Sequence, residues 1–416
     1  MNDLRALGFD VLGADGAVFD DPDKSSYTLS NERMITRDPS DNRCGQFLAR
    51  LLTGGGEGDA ATLLRELLQR ETDPWTVLAL PLLDLAEHRE ENPSPEQVGL
   101  AARADHLFET QDGAFQSQTL MHLRESFDRL ARFEMHSGSK LNSLRRLVLF
   151  GCFAVHVQMC ARWSEATTDA PRPPIVFDMF DGGRPSIRDA SRAALRAAGD
   201  AIEGRLSQRM QEHFGALATS EEDARAILEE QDELEPQTRR KRFTPTLVRR
   251  FDVHLEAGLS PAESLAEAFL EIGYEASRGH PVGFLTELGR RAGYLTPWAN
   301  QGRGGKLQKR YGITAEFLET LVAATVEPDE PLDLPEFLEA LRANYGVVVG
   351  RRGDDEIIRT NNLNNTTFGT PTSIAEEDLR DNVEALRRSI LEIGFAKSYA
   401  DGQTVITAKP EGHAVL

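Results

Sequence analysis

Residues 373–407 read SIAEEDLRDNVEALRRSILEIG followed by FAKSYADGQTVIT. In the first of these stretches Leu379, Val383, Leu386 and Ile390 recur at the spacing of one helical face. Ser373 with Glu376 forms a capping-box pair and Gly394 supplies a stop, so the pattern predicts a helix from Ile374 to Ile393. In the stretch that follows, short runs on either side of Asp401-Gly402, the pair that a tight type I′ turn requires, predict a hairpin. A helix running into a hairpin is how a winged helix ends.

The preceding residues extend the same module. Phe317, Leu318, Leu321 and Val322 mark one helix. Phe337, Leu338, Leu341 and Tyr345 mark another, capped by Asp333 with Glu336. Gly346-Val-Val-Val-Gly350 reads as a short strand placed after the second helix, and a long connection from Arg351 to Thr372 follows. The expectation is a compact unit with its own core, to which Tyr399 contributes.

Upstream, helices dominate. Residues 1–45 resemble a short hairpin and loop. Helical spacing then covers Ala60–Arg70, Trp75–Glu87, Pro95–Phe108, Gln116–Met135 and the very apolar Leu141–Trp163. Ile175–Phe180 is the one buried-strand-like run in the middle, and a long helix from Ile187 to Phe214 follows. The acidic stretch 220–235 reverses abruptly into Arg239-Arg-Lys-Arg242 and reads as a linker. Helices follow at 244–256, 260–277 and 283–292. The expected fold is mainly α, a multi-helical N-terminal region with a small strand element and a C-terminal winged-helix-like α+β module. The expected divisions are 1–170, 171–235, 236–312 and 313–416.

At 416 residues the chain exceeds the usual size of a single core, and its hydrophobic fraction of 40 % is that of a folded protein. A formal charge of −20 repels nucleic acid and anionic membrane at long range, so any DNA contact has to be a local basic patch. Cys44, Cys152 and Cys160 form no CxxC pair. Together with the absence of a leader-like start or an apolar run of spanning length, this points to the cytoplasm and away from the membrane.

Chemistry is thinly signalled. Asp178 and Asp181 end the mid-chain strand above a helix start, a place where carboxylates can hold Mg²⁺ beside a phosphate. The same residues also suit a plain turn. Cys152, His156 and Cys160 share one helical face, but two turns separate the cysteines, which favours packing over a metal site. The loop Gly302–Lys306 fails as a Walker A because Asn300 replaces its first Gly and Leu307 its hydroxyl residue. No motif calls for a cofactor. The residues that could meet nucleic acid are Arg239, Arg240, Lys241, Arg242, Arg303, Lys306, Lys309 and Arg310, with Arg387, Arg388 and Lys397 on the C-terminal module. The helix that would enter a major groove opens with Glu376, Glu377 and Asp378, which face phosphates badly.

Phe337-Leu338 through Gly350, Asn361-Asn362, the helix and Tyr399-Ala-Asp-Gly402, together with Asp181–Arg188, resemble uncharacterised proteins of bacterial genome-defence operons. Those accompany DNA-translocating ATPases and nucleases. The resemblance implies a non-enzymatic partner subunit of a cytosolic complex acting on DNA, in defence against foreign DNA, and carries over no catalytic residue. The rival expectations are a metal-dependent nuclease or phosphohydrolase centred on Asp178 and Asp181, and a winged-helix DNA-binding regulator.

Overall fold

Helices make up most of the described residues. The computed structural model describes residues 47–48, 51–52, 58–67, 117–136, 139–166, 171–234, 237–276, 281–297, 309–351, 353–358 and 374–408, with side chains for all of these except 65, 230–234, 237–244, 273–276, 281–282 and 284. The hairpin expected at 1–45, the helices expected at 75–87 and 95–108, and the loop 302–306 lie outside the described residues. In chain order the elements begin with α1 (Asp59–Leu67), α2 (Gln118–Glu134), α3 (Lys140–Ala166), β1 (Ile175–Val176) and α4 (Pro185–Leu217). Then come α5 (Glu221–Leu234), α6 (Gln237–Glu256), α7 (Pro261–Ala276), α8 (Pro281–Ala292), β2 (Leu295–Thr296) and β3 (Arg310–Tyr311). The last are α9 (Ala315–Thr325), β4 (Leu332–Asp333), α10 (Leu334–Tyr345), β5 (Val347–Val348), α11 (Glu376–Glu392), β6 (Ala396–Ser398) and β7 (Thr404–Ile406).

The chain divides into two compact units, neither of them a single consecutive segment. One comprises residues 1–161, 173–195 and 288–416, the other 162–172 and 196–287.

In the first unit, a single core runs from Leu51 to Ala408. Leu120, Leu123, Phe127 and Leu130 of α2 recur every three or four residues and are all buried. Phe153 of α3 meets Tyr294, Phe317 and Tyr345 edge-on, with ring centroids 5.2–5.6 Å apart. By length and composition α3 is apolar enough to cross a membrane, contrary to the expectation that no run would be. It buries Phe150, Phe153, Ala154 and Val157 in this core, which fits a core helix. The C-terminal residues therefore share their core with α2, α3 and β1 and do not enclose one of their own.

Capping follows the sequence in α10, where Asp333 and Glu336 exchange bonds and Gly346 closes the helix in the left-handed region (φ 72°). It departs from it in α11. The N-cap is Ala375, which makes no side-chain bond, and the expected partner Ser373 lies outside the described residues; Glu376, Glu377 and Asp378 place three carboxylates against the helix's positive end. At the other end Gly394 has φ 81° and Phe395 N–H donates to Ile390 O, a Schellman closure.

The hairpin forms with β6 and β7 in antiparallel register. Its turn is not type I′. Gly402 has φ 85° while Asp401 does not turn positive, Gly402 N–H donates to Tyr399 O, and Tyr399 N–H donates to Gln403 O. This is a three-residue loop closed by a glycine bulge. Tyr399 stands 53 % exposed, and Phe395 and Ile406 fill the core place expected for it. The β7 strand also pairs with β4, giving a three-stranded order β4-β7-β6. Meanwhile Val347 and Val348 pair in parallel with Ile175 and Val176, so the expected module strand belongs to a different sheet.

In the second unit Phe214, Leu228, Leu247, Phe251, Leu265 and Ile272 form the core. The acidic stretch expected as a linker is helix α5. Ser220 and Asp223 exchange capping bonds at its start, and Ala224 and Leu228, one turn apart, supply the apolar stripe.

Candidate functional site

The mid-chain carboxylates lie where β1 hands over to α4. Phe180-Asp181-Gly182-Gly183 turns with positive φ at both central residues (48° and 87°) and a bond from Gly183 N–H to Phe180 O. That is the pattern of a type I′ turn. Asp178 sits under it with its side chain fully buried. Its Oδ1 accepts from Phe180 N–H (3.0 Å), and its Oδ2 accepts from Gly182 N–H (2.7 Å) and Arg310 Nε (2.8 Å). Arg310 Nη2 donates to Asp181 (2.7 Å), whose side chain is 81 % exposed.

Arg310, expected on a basic loop that either touches nucleic acid or is solvated, is instead drawn inward. Its side chain is 8 % exposed and its charge is taken up by two aspartates. Asp178 is equally committed, to two backbone amides and a guanidinium. Among the described residues no group of three or more His, Cys, Asp or Glu side chains is placed to hold a metal.

The next residue, Tyr311, ties this cluster inward. Its backbone exchanges hydrogen bonds with Ser191 of α4, and its hydroxyl lies 2.9 Å from His156 Nε2. Burial pushes the Tyr311 hydroxyl well above its usual pKa. Burial likewise raises the Cys152 thiol, away from the thiolate a metal would need.

The α11 helix docks on the same turn. Asn382, fully buried, donates to Phe177 O (2.8 Å) and Val349 O (2.7 Å) and accepts from Met179 N–H (3.0 Å). One amide therefore satisfies the chain just beyond β1 and just beyond β5. Asp378 accepts from Ser186 Oγ, and Arg184 pairs with Asp378 and Asp381 while its guanidinium stands over the Phe180 ring. Backbone contact is equally close at Gly350 (φ 142°), where a Cβ would run into the Leu379 carbonyl. Sequence reasoning misses Asn382, although an Asn three residues after Leu379 and four before Leu386 falls on the apolar face and marks a buried polar contact.

Of the remaining basic residues, those on the C-terminal elements pair locally. Arg387 donates to Glu384 and Ser398, and Arg388 donates to the same Glu384. Those hydrogen bonds, Arg387's first, hold the Glu384 carboxyl below its usual pKa range against the opposing effect of burial. Lys397 is exposed on β6, and Lys309 is half-buried beside β3. Arg239, Arg240, Lys241 and Arg242 fall on the first turns of α6, in the other unit. Arg303 and Lys306 lie outside the described residues.

Comparison with protein-family models, with curated proteins and with solved structures gave no match for this chain.

Proposed function

We propose that the chain is a non-enzymatic interaction subunit of a cytosolic multi-protein complex acting on DNA, in bacterial defence against foreign DNA. In this reading residues 313–416 are a winged-helix-like module used for packing and docking. The order α9, β4, α10, β5, α11, β6, β7, in which β5 pairs with β1 while β4 and β6 flank β7, supports the winged-helix description in its remaining elements.

One observation carries the preference for docking over DNA reading. The leading half of α11, the segment that would enter a groove, bears three carboxylates in its first turn and spends Asp378, Asp381 and Asn382 on the protein's own β1–α4 turn. The metal-dependent nuclease is the weaker rival because both its carboxylates hold Arg310. The winged-helix regulator keeps one point in its favour, the exposed hairpin tip with Lys397 and Tyr399.

The test is co-expression with a DNA-translocating ATPase and a nuclease of a bacterial genome-defence operon, followed by size-exclusion chromatography and a cleavage assay in Mg²⁺ or Mn²⁺. Co-elution as a stable complex, with no cleavage by the chain alone, is expected. A chain that elutes alone and cleaves DNA, with cleavage lost in Asp178→Ala, would replace this reading with the nuclease.

A further inference from the structure

We draw no further inference here: the strongest candidate, the turn at the start of α4 where Asp178, Asp181, Arg184, Arg188 and Arg310 converge, is a helix N-terminus whose charged groups pair with one another and with Asp189, Asp378 and Asp381, and nothing among the described residues points to a ligand there.

Discussion

Replacing Asp178 and Asp181 separately distinguishes a structural pair from a catalytic one. Asp178 receives three N–H donors at 2.7–3.0 Å and its side chain has no exposure. Asp178→Ala leaves Phe180 and Gly182 N–H without that acceptor. It also deprives a guanidinium that is 8 % exposed of its buried counter-charge. Breaking a buried ion pair from one side costs about 3–5 kcal/mol. Set against a total stability of about 5–15 kcal/mol, that is a large fraction. Asp181→Ala removes one bond from a side chain that is 81 % exposed and places Ala at φ 48°, so the loss should stay at about 1–2 kcal/mol. Urea unfolding followed by far-ultraviolet circular dichroism measures both, with the α3 aromatic cluster's near-ultraviolet signal reporting on the first unit. The expected result is a much lower midpoint for Asp178→Ala and a clearly smaller fall for Asp181→Ala. Equal, small shifts would refute the buried-pair argument. Unchanged stability with loss of a metal-dependent activity in both variants would make the pair catalytic.

Two further outcomes follow from single buried groups. Asn382→Ala strands two carbonyls and one N–H between α11 and the ends of β1 and β5, at a cost of about 1–3 kcal/mol for an unsatisfied buried group; a variant as stable as the parent in thermal unfolding would mean that α11 is not docked there. Burial raises the Asp354 carboxyl, against bonds from Arg351 and Gly350 N–H, so the folded state favours its protonated form. This stabilisation is complete below the unfolded pKa and is lost as pH rises through the folded one. The stability difference between the parent and Asp354→Asn should therefore grow in the parent's favour as pH falls through the carboxylate range, and a flat difference would contradict the burial.

Patterns that repeat within one element are legible in the sequence, and contacts between distant elements are not. Leu379, Leu386 and Ile390 announce the buried face of α11 by spacing alone. Asn382 lies on that face, yet its meaning depends on Phe177 and Val349, 205 and 33 residues away. Arg310 looks basic because its sequence neighbours are; the aspartates that hold it are 132 and 129 positions upstream. The β4 strand is invisible because two residues cannot show a period of two, and its Asp333 doubles as the cap of α10. The parallel pairing of β1 with β5 joins two strands whose sequences carry no sign of each other and which the expected divisions separate. In α5, charge hides the stripe of Ala224 and Leu228.

The central claim is that α11 serves the protein's own packing and does not read DNA. Titrating the purified chain against duplex DNA of several sequences, from 50 to 200 mM salt, tests it most directly. The account predicts weak binding with little sequence preference and a steep fall with salt. Changing Arg239, Arg240, Lys241 and Arg242 to Glu should lower the salt slope by roughly 0.9 for each phosphate that is no longer neutralised. Tight, sequence-selective binding that survives 200 mM salt, unaffected by those changes and abolished by substitutions at Glu376, Glu377 or Arg380, would contradict it.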